Sequence, residues 1–324
     1  MQRESGREIK VAIAGGGISG LTAALRLAQR GYKVTLYEPK SWLGGNLGSH
    51  LSPGNLGLNP GVEGAWHDVY SHMYPEFYVN FWDIVENDLG MRRDHSDLSD
   101  FEPHYSLQFV GGDGRFKSLR DAWDPRSLWD NLTTGIHQAS PLDMFLFFYS
   151  FLDLVCHEFG EIGPLSESVN AFIRSRPWAT KQVAALHDFL IMLVWAIHAT
   201  GTEAASYQKF IHSGLGNATP LLWLLKGTLE QTLIGPLEQK LEALECHIKK
   251  NTAVTKVELL GDRVCKIRTA PAGYDYENQN LTWTDDAFTE VSDFDYLILA
   301  VPPKSLGKLA VSGPPGGRIH RLRR

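Results

Sequence analysis

Three observations predict an α/β protein built on a parallel sheet. Residues 11–38, VAIAGGGISGLTAALRLAQRGYKVTLYE, read as strand, glycine-rich turn, helix and strand. Several strongly apolar segments with helix-start signals follow between residues 140 and 235. Strand patterning returns after residue 250 and ends in YLILAV at residues 296–301. A chain of 324 residues has room for about two domains.

The first unit is the most specific. Residues 11–14 form a short apolar run, as a buried strand requires. Gly15, Gly17 and Gly20 make G-x-G-x-x-G, with Ile18 and Ser19 between them. Leu21, Ala24, Leu25 and Ala28 recur at helical spacing, Gly31 stops the helix, and the next strand ends at Glu38. This is the β-α-β unit of a Rossmann-like dinucleotide-binding domain. Gly15 permits the tight turn, Gly17 lets a pyrophosphate approach the backbone, and Gly20 brings the helix close to the sheet. The helix N-terminus offers free N–H groups and partial positive charge to phosphates. A carboxylate at Glu38 can accept hydrogen bonds from ribose hydroxyls, and it repels a 2′-phosphate, which disfavours NADP. Gly44 and Gly45 follow, a pair that lets a loop run close under a bound cofactor.

Composition excludes other classes. A net charge of −6 argues against a general nucleic-acid binder. Three widely spaced cysteines, Cys156, Cys246 and Cys265, suggest neither a disulfide framework nor a thiolate zinc site. His67, His72, His187 and His198 lack metal-ligand spacing, so no metal is expected. The polar N-terminus has no apolar signal core. The expected setting is therefore cytoplasmic or an organelle stroma, not secreted. No stretch reaches the ~20 apolar residues of a membrane span.

Downstream, residues 77–90 read as a helix with Phe77, Phe81, Ile84, Val85 and Leu89 as its apolar stripe. Residues 105–110 and 115–117 flank Gly-Gly-Asp-Gly, a hairpin signal. Ser140-Pro141-Leu142-Asp143 is a capped helix start leading into MFLFFYSFLDLVC. Residues 183–199 read as a second apolar helix. A third is expected from Thr219-Pro220, broken at Gly235-Pro236, with another helix over residues 236–246. Residues 254–260 and 263–269 flank Gly261-Asp262 as a hairpin. Residues 271–292 read as a polar loop with a short strand at 281–284. The run at 296–301 reads as a central strand buried on both faces.

The order GGGISG, Glu38, LGGN and then Glu63-Gly64-Ala65-Trp66-His67 resembles the flavin-dependent amine oxidase superfamily, most closely its phytoene desaturase-like branch. The family's glycine pair is usually followed by Arg or Lys; here it is Asn46. The resemblance implies FAD as cofactor, with Gly64 and Ala65 in the segment that lines the flavin ring. It also implies that Val254 places backbone groups beside the adenine. The strand ending near Ala300 and Pro302 would then enter the same sheet as the first unit. The FAD domain is accordingly expected to be discontinuous, over residues 1–75 and 236–310. A substrate or cap domain is expected over 76–235, and a basic tail without secondary structure over 311–324.

The resemblance further implies that a C-terminal part of the family fold is missing, so the chain by itself is expected to hold FAD poorly. The implied activity is hydride removal from a C–H or C–N bond of a lipophilic small molecule. No catalytic residue is nominated, because the flavin does the hard step. A peripheral membrane contact through the helix at Pro141 is a further expectation. The alternatives are a non-catalytic binding module and an NAD-dependent dehydrogenase.

Overall fold

The computed structural model describes residues 8–51, 66–68, 72–110, 114–121, 124–157, 167–216, 220, 222–261, 263–275, 280–284 and 287–312. The chain divides into two compact units: Met1–His72, Asp88–Gly90 and Leu225–Arg324 form one, and Met73–Asn87 with Met91–Leu224 the other. The sequence predicts these boundaries at 75/76 and 235/236.

In the first unit, strand β1 (Lys10–Ala14), helix α1 (Ile18–Ala28) and strand β2 (Lys33–Tyr37) follow the order read from the sequence. α1 buries Leu21, Ala24, Leu25 and Ala28, the face its apolar spacing marks. A four-stranded parallel sheet runs in the order 296–299, β1, β2, 247–249. A second, largely antiparallel sheet centres on the hairpin Thr252–Leu260 and Arg263–Asp275. Gly261 turns that hairpin at φ +63°; Asp262 lies outside the described residues. The two sheets share a core of Ala12, Tyr37, Val257, Ile267 and Leu309.

Two expectations for this unit need correction. The stretch from 271 is not a loop: Arg263–Asp275 continues as one strand, pairing with Asn280–Trp283 and with Thr289–Val291. Cross-strand pairing overrides its polar composition, because a ladder needs only one packed face. Nor is the late apolar run buried on both faces. Its strand, Tyr296–Leu299, pairs only with β1 among the described residues, and Tyr296 is exposed. Leu297 and Leu299 are half-buried against the shared core, which accounts for their apolarity.

The second unit is mainly helical. Pro141–Val155 carries the capping box read from sequence: the Asp143 amide donates to Ser140 Oγ at 3.2 Å, and the Ser140 amide to Asp143 Oδ2 at 2.9 Å. Lys181–Trp195 starts at Thr180, whose side chain accepts from the Val183 amide. Val169–Arg174 and Ala204–Gly216 complete the bundle. Phe172, Ile173, Val183, Ile191, Tyr207 and Leu154 form its core. The hairpin at Gly-Gly-Asp-Gly is present as Ser106–Val110 against Phe116–Arg120, with its tip residues 111–113 outside the described set.

The expected third helix from Thr219-Pro220 is wrong. Leu222–Leu225 is a strand. Trp223 and Tyr74 exchange two backbone hydrogen bonds, each of 2.9 Å, so a long-range ladder defeats the local helical pattern. Nor does Gly235-Pro236 break the following segment. The wide turn Glu230–Ile234 runs directly into the helix Gly235–Ala243, where Pro236 sits in the first turn and its missing N–H is tolerated. The stretch expected as a helix over 77–90 is helical from Val79 to Asp88, α-helical over Val79–Trp82 and widening to a π-helix over Asp83–Asp88.

Candidate functional site

The site is built at the end of β1 from backbone. Gly15 has φ +108°, and a Cβ there would lie 2.4 Å from the Ala300 carbonyl oxygen. A Cβ at Gly20 would lie 1.9 Å from the Gly15 carbonyl oxygen. These two glycines are fixed by the protein's own packing. Gly16, which the motif leaves open, is fixed too: its Cβ would meet Leu43 at 2.7 Å and Glu38 Cβ at 3.0 Å.

Gly17 differs. The nearest atom to a Cβ there is Gly45 Cα at 3.9 Å, an ordinary contact. Among the described residues nothing requires glycine at this position. Gly17 is the N-cap of α1, in extended conformation, and among the described residues no side chain caps the helix. Ile18 is half-buried and Ser19 exposed at the same end. An open approach beside an uncapped helix N-terminus suits a phosphate.

The glycine pair is brought onto this turn. The Gly44 amide donates to the Gly16 carbonyl at 2.8 Å, and Gly17 and Gly44 form a parallel bridge. Gly44 and Gly45 take φ of +92° and +61°, and a Cβ at Gly45 would press on Gly17 Cα at 3.1 Å. Asn46 follows, exposed, in the turn Gly45–Leu47.

Glu38 is 7% exposed. Its Oε2 accepts from the Gly16 amide at 2.7 Å and its Oε1 from the Lys40 amide at 3.0 Å. Burial pushes its acidity weaker than an ordinary glutamate, while those two amides and the Lys40 charge oppose the shift. Each oxygen keeps a further lone pair for a hydroxyl donor. The Glu38 carbonyl accepts from the Thr252 amide at 2.9 Å. Val254, half-buried and opposite Thr269, thus follows two residues after the acid's own hydrogen-bond partner. The Ala300 amide extends the sheet by donating to Ala14 at 2.8 Å, and Pro302 is an exposed cap of the short helix Pro303–Lys308. Gly64 and Ala65 lie outside the described residues. Among the described residues no group of three metal-ligating side chains gathers.

The nucleotide-type fold and this glycine-walled turn define a dinucleotide-binding protein. A model of the flavin containing amine oxidoreductases matches residues 18–318, and the chain belongs to that family. Over 105 residues it is 34% identical to a 4,4'-diapolycopen-4-al dehydrogenase of Metabacillus indicus, covering 32% of this chain and 19% of that protein. Over 53 residues it is 42% identical to a 4,4'-diaponeurosporene oxygenase of Staphylococcus aureus, covering 16% of this chain and 11% of that protein. Among solved structures, an oxidoreductase from Methanosarcina mazei superposes with a TM-score of 0.61 at 15% identity, over 93% of this chain and 61% of that one. Cyclohexylamine oxidase from Brevibacterium oxydans gives 0.60 at 15% identity, over 98% of this chain and 63% of that one. The chain thus spans less than two thirds of the proteins it matches.

Family membership selects FAD over a nicotinamide dinucleotide. The residues present fit the adenosine diphosphate half of that group: an open Gly17, an uncapped helix end and a buried carboxylate with spare acceptors.

Proposed function

We propose that this chain serves an FAD-dependent oxidoreductase that removes hydride from a C–H or C–N bond of a lipophilic or amine small molecule, in the manner of a desaturase or an amine oxidase. The open wall at Gly17, next to the buried Glu38 carboxylate, carries this reading. FAD, when bound, supplies the hydride acceptor; the chain's own residues bind and orient it. Amides at the N-terminus of α1 would hold the pyrophosphate, Glu38 would take the ribose diol, and the backbone around Val254 would border the adenine. The relatives named for 4,4'-diapolycopen-4-al and 4,4'-diaponeurosporene support a lipophilic substrate, and cyclohexylamine oxidase supports an amine. Titration of the purified chain with ADP and with FAD tests the reading. The two ligands should compete, and Glu38→Ala should weaken ADP by about 1.5–3 kcal/mol. Saturable binding that ignores Glu38 would contradict it.

A peripheral lipid contact is part of the same reading. Leu142, Phe145, Tyr149 and Leu152 stand exposed on Pro141–Val155 at helical spacing. No described helix is long and apolar enough to cross a membrane. Wild type should float with anionic vesicles and a Phe145→Ser, Leu152→Ser variant should not; equal flotation of both would remove this helix from consideration.

A further inference from the structure

The turn that follows the ribose acid is held by a feature that neither the glycine motif nor the family match assigns. Lys40 Nζ lies 4.7 Å from the centre of the Trp42 ring and 4.6 Å from that of Tyr274. Both distances fall within cation–π reach. The two rings meet edge to face, with centroids 5.4 Å apart. Trp42 is buried, at 7% exposure. Tyr274 comes from the far end of the strand Arg263–Asp275, in the part that pairs with Asn280–Trp283. That extension is the segment whose composition reads as a loop.

Based on the assignment of Glu38 to the ribose, we propose that Lys40, set in the corner made by the Trp42 and Tyr274 rings, is a positioning residue for the Glu38 carboxylate, and that the extended hairpin is the latch holding it.

Three observations support the assignment. First, Lys40 is tied to the acid through its own backbone, because its amide donates to Glu38 Oε1 at 3.0 Å. Second, the turn is strapped from the other side. The Asn251 amide donates to the Lys40 carbonyl at 3.0 Å, and the Ala272 amide to the Asn251 carbonyl at 2.8 Å. The hairpin that carries Tyr274 therefore reaches the 38–40 turn through two consecutive backbone hydrogen bonds as well as through its ring. Third, the charges are complementary. Burial disfavours both the Glu38 carboxylate and the Lys40 ammonium, and each is the other's charged partner. Of the cations on the adjoining strand, Lys250 is paired with Glu238 and Lys249 lies over the Tyr37 ring.

The chemistry gives the lysine a defined task. A ribose diol presents two O–H donors, and an ionised carboxylate is acceptor-only, so it can take both. A protonated Glu38 would offer a donor where an acceptor is needed. A lysine on a free stem would leave for water. Two aromatic rings replace part of that water and hold the ammonium on the turn that carries the acid.

ADP is the probe, titrated into the full chain between about pH 5 and pH 8. Wild type should lose affinity on an acid limb set by Glu38. Lys40→Met keeps the stem and removes the charge. It should move that limb up by about one pH unit, bind ADP roughly tenfold more weakly on the acid side, and converge with wild type at the alkaline end. Lys40→Arg should restore the wild-type limb, since it keeps charge and ring contact. Tyr274→Leu should shift the limb in the same direction by a smaller step, and it serves where Lys40→Met lowers the Tm. A wild-type limb in folded Lys40→Met or Tyr274→Leu overturns the proposal. Glu38→Gln separates the layers. If it binds like wild type, the ribose assignment itself fails. If it binds weakly while both latch variants behave as wild type, only the latch fails. No saturable ADP binding by the unaltered chain overturns both.

Discussion

The dinucleotide turn and the buried polar trio of the helical unit solve opposite problems with opposite materials. At the turn, polar groups face an open approach, and they are mostly backbone. In the helical unit, Ser150, His187 and Tyr207 are sealed among apolar side chains, and every polar atom is used internally. Ser150 Oγ donates to the Phe147 carbonyl at 2.5 Å, so it accepts from His187 Nε2 at 2.7 Å. Nδ1 then accepts from the Tyr207 hydroxyl at 2.9 Å. The proton positions follow from the chain of donors and leave a neutral imidazole. Spare hydrogen-bond capacity is what separates a site from a satisfied core cluster, and only the turn has it.

The trio should fail most steeply with acid. Burial holds the His187 pKa near 3, against an ordinary 6.5. Between those values the unfolded chain binds a proton that the folded chain does not, so stability rises with pH. The contribution is complete above pH 6.5 and falls on acidification by about 1.4 kcal/mol per pH unit. Denaturant melts of wild type and His187→Asn should show this slope in wild type and its loss in the variant. Equal slopes would mean that the imidazole is not sealed.

The turn should fail sterically where the trio fails by charge. Gly20→Ala places a Cβ 1.9 Å from the Gly15 carbonyl oxygen, inside any real contact. The expected loss is about 3 kcal/mol or more, read as a fall in Tm. An unaltered Tm would show that α1 can retreat from the sheet.

Legibility in the sequence followed the same division. β1, α1, β2 and Glu38 are local: the glycines, the helical stripe and the terminal acid sit within one short stretch, and the capping box at Ser140 is equally local. What the sequence leaves hidden depends on partners far along the chain. Trp223 became strand because Tyr74 pairs with it. The hairpin arm around Tyr274 reads as loop because its polar residues betray no partner strand. Lys40 stands two residues after Glu38 in sequence, yet its role depends on a ring more than two hundred residues away. Ala204–Gly216 carries no clear helical signal because its buried Tyr207 and Gln208 interrupt an apolar stripe with groups that find hydrogen bonds only in the fold.

The most direct test of the central claim, that the turn at the end of β1 is a ligand wall and not merely a tight corner, is Gly17→Ala. The new methyl would make only an ordinary contact with Gly45 Cα at 3.9 Å, and the extended backbone at residue 17 suits any amino acid. Tm and ADP affinity should be measured on the same preparation. The account predicts a Tm lowered only by the small N-cap cost of alanine, about 1 kcal/mol at most, with ADP bound roughly tenfold or more weakly, because the methyl occupies space reserved for the pyrophosphate. Unchanged ADP affinity in the folded variant would contradict it.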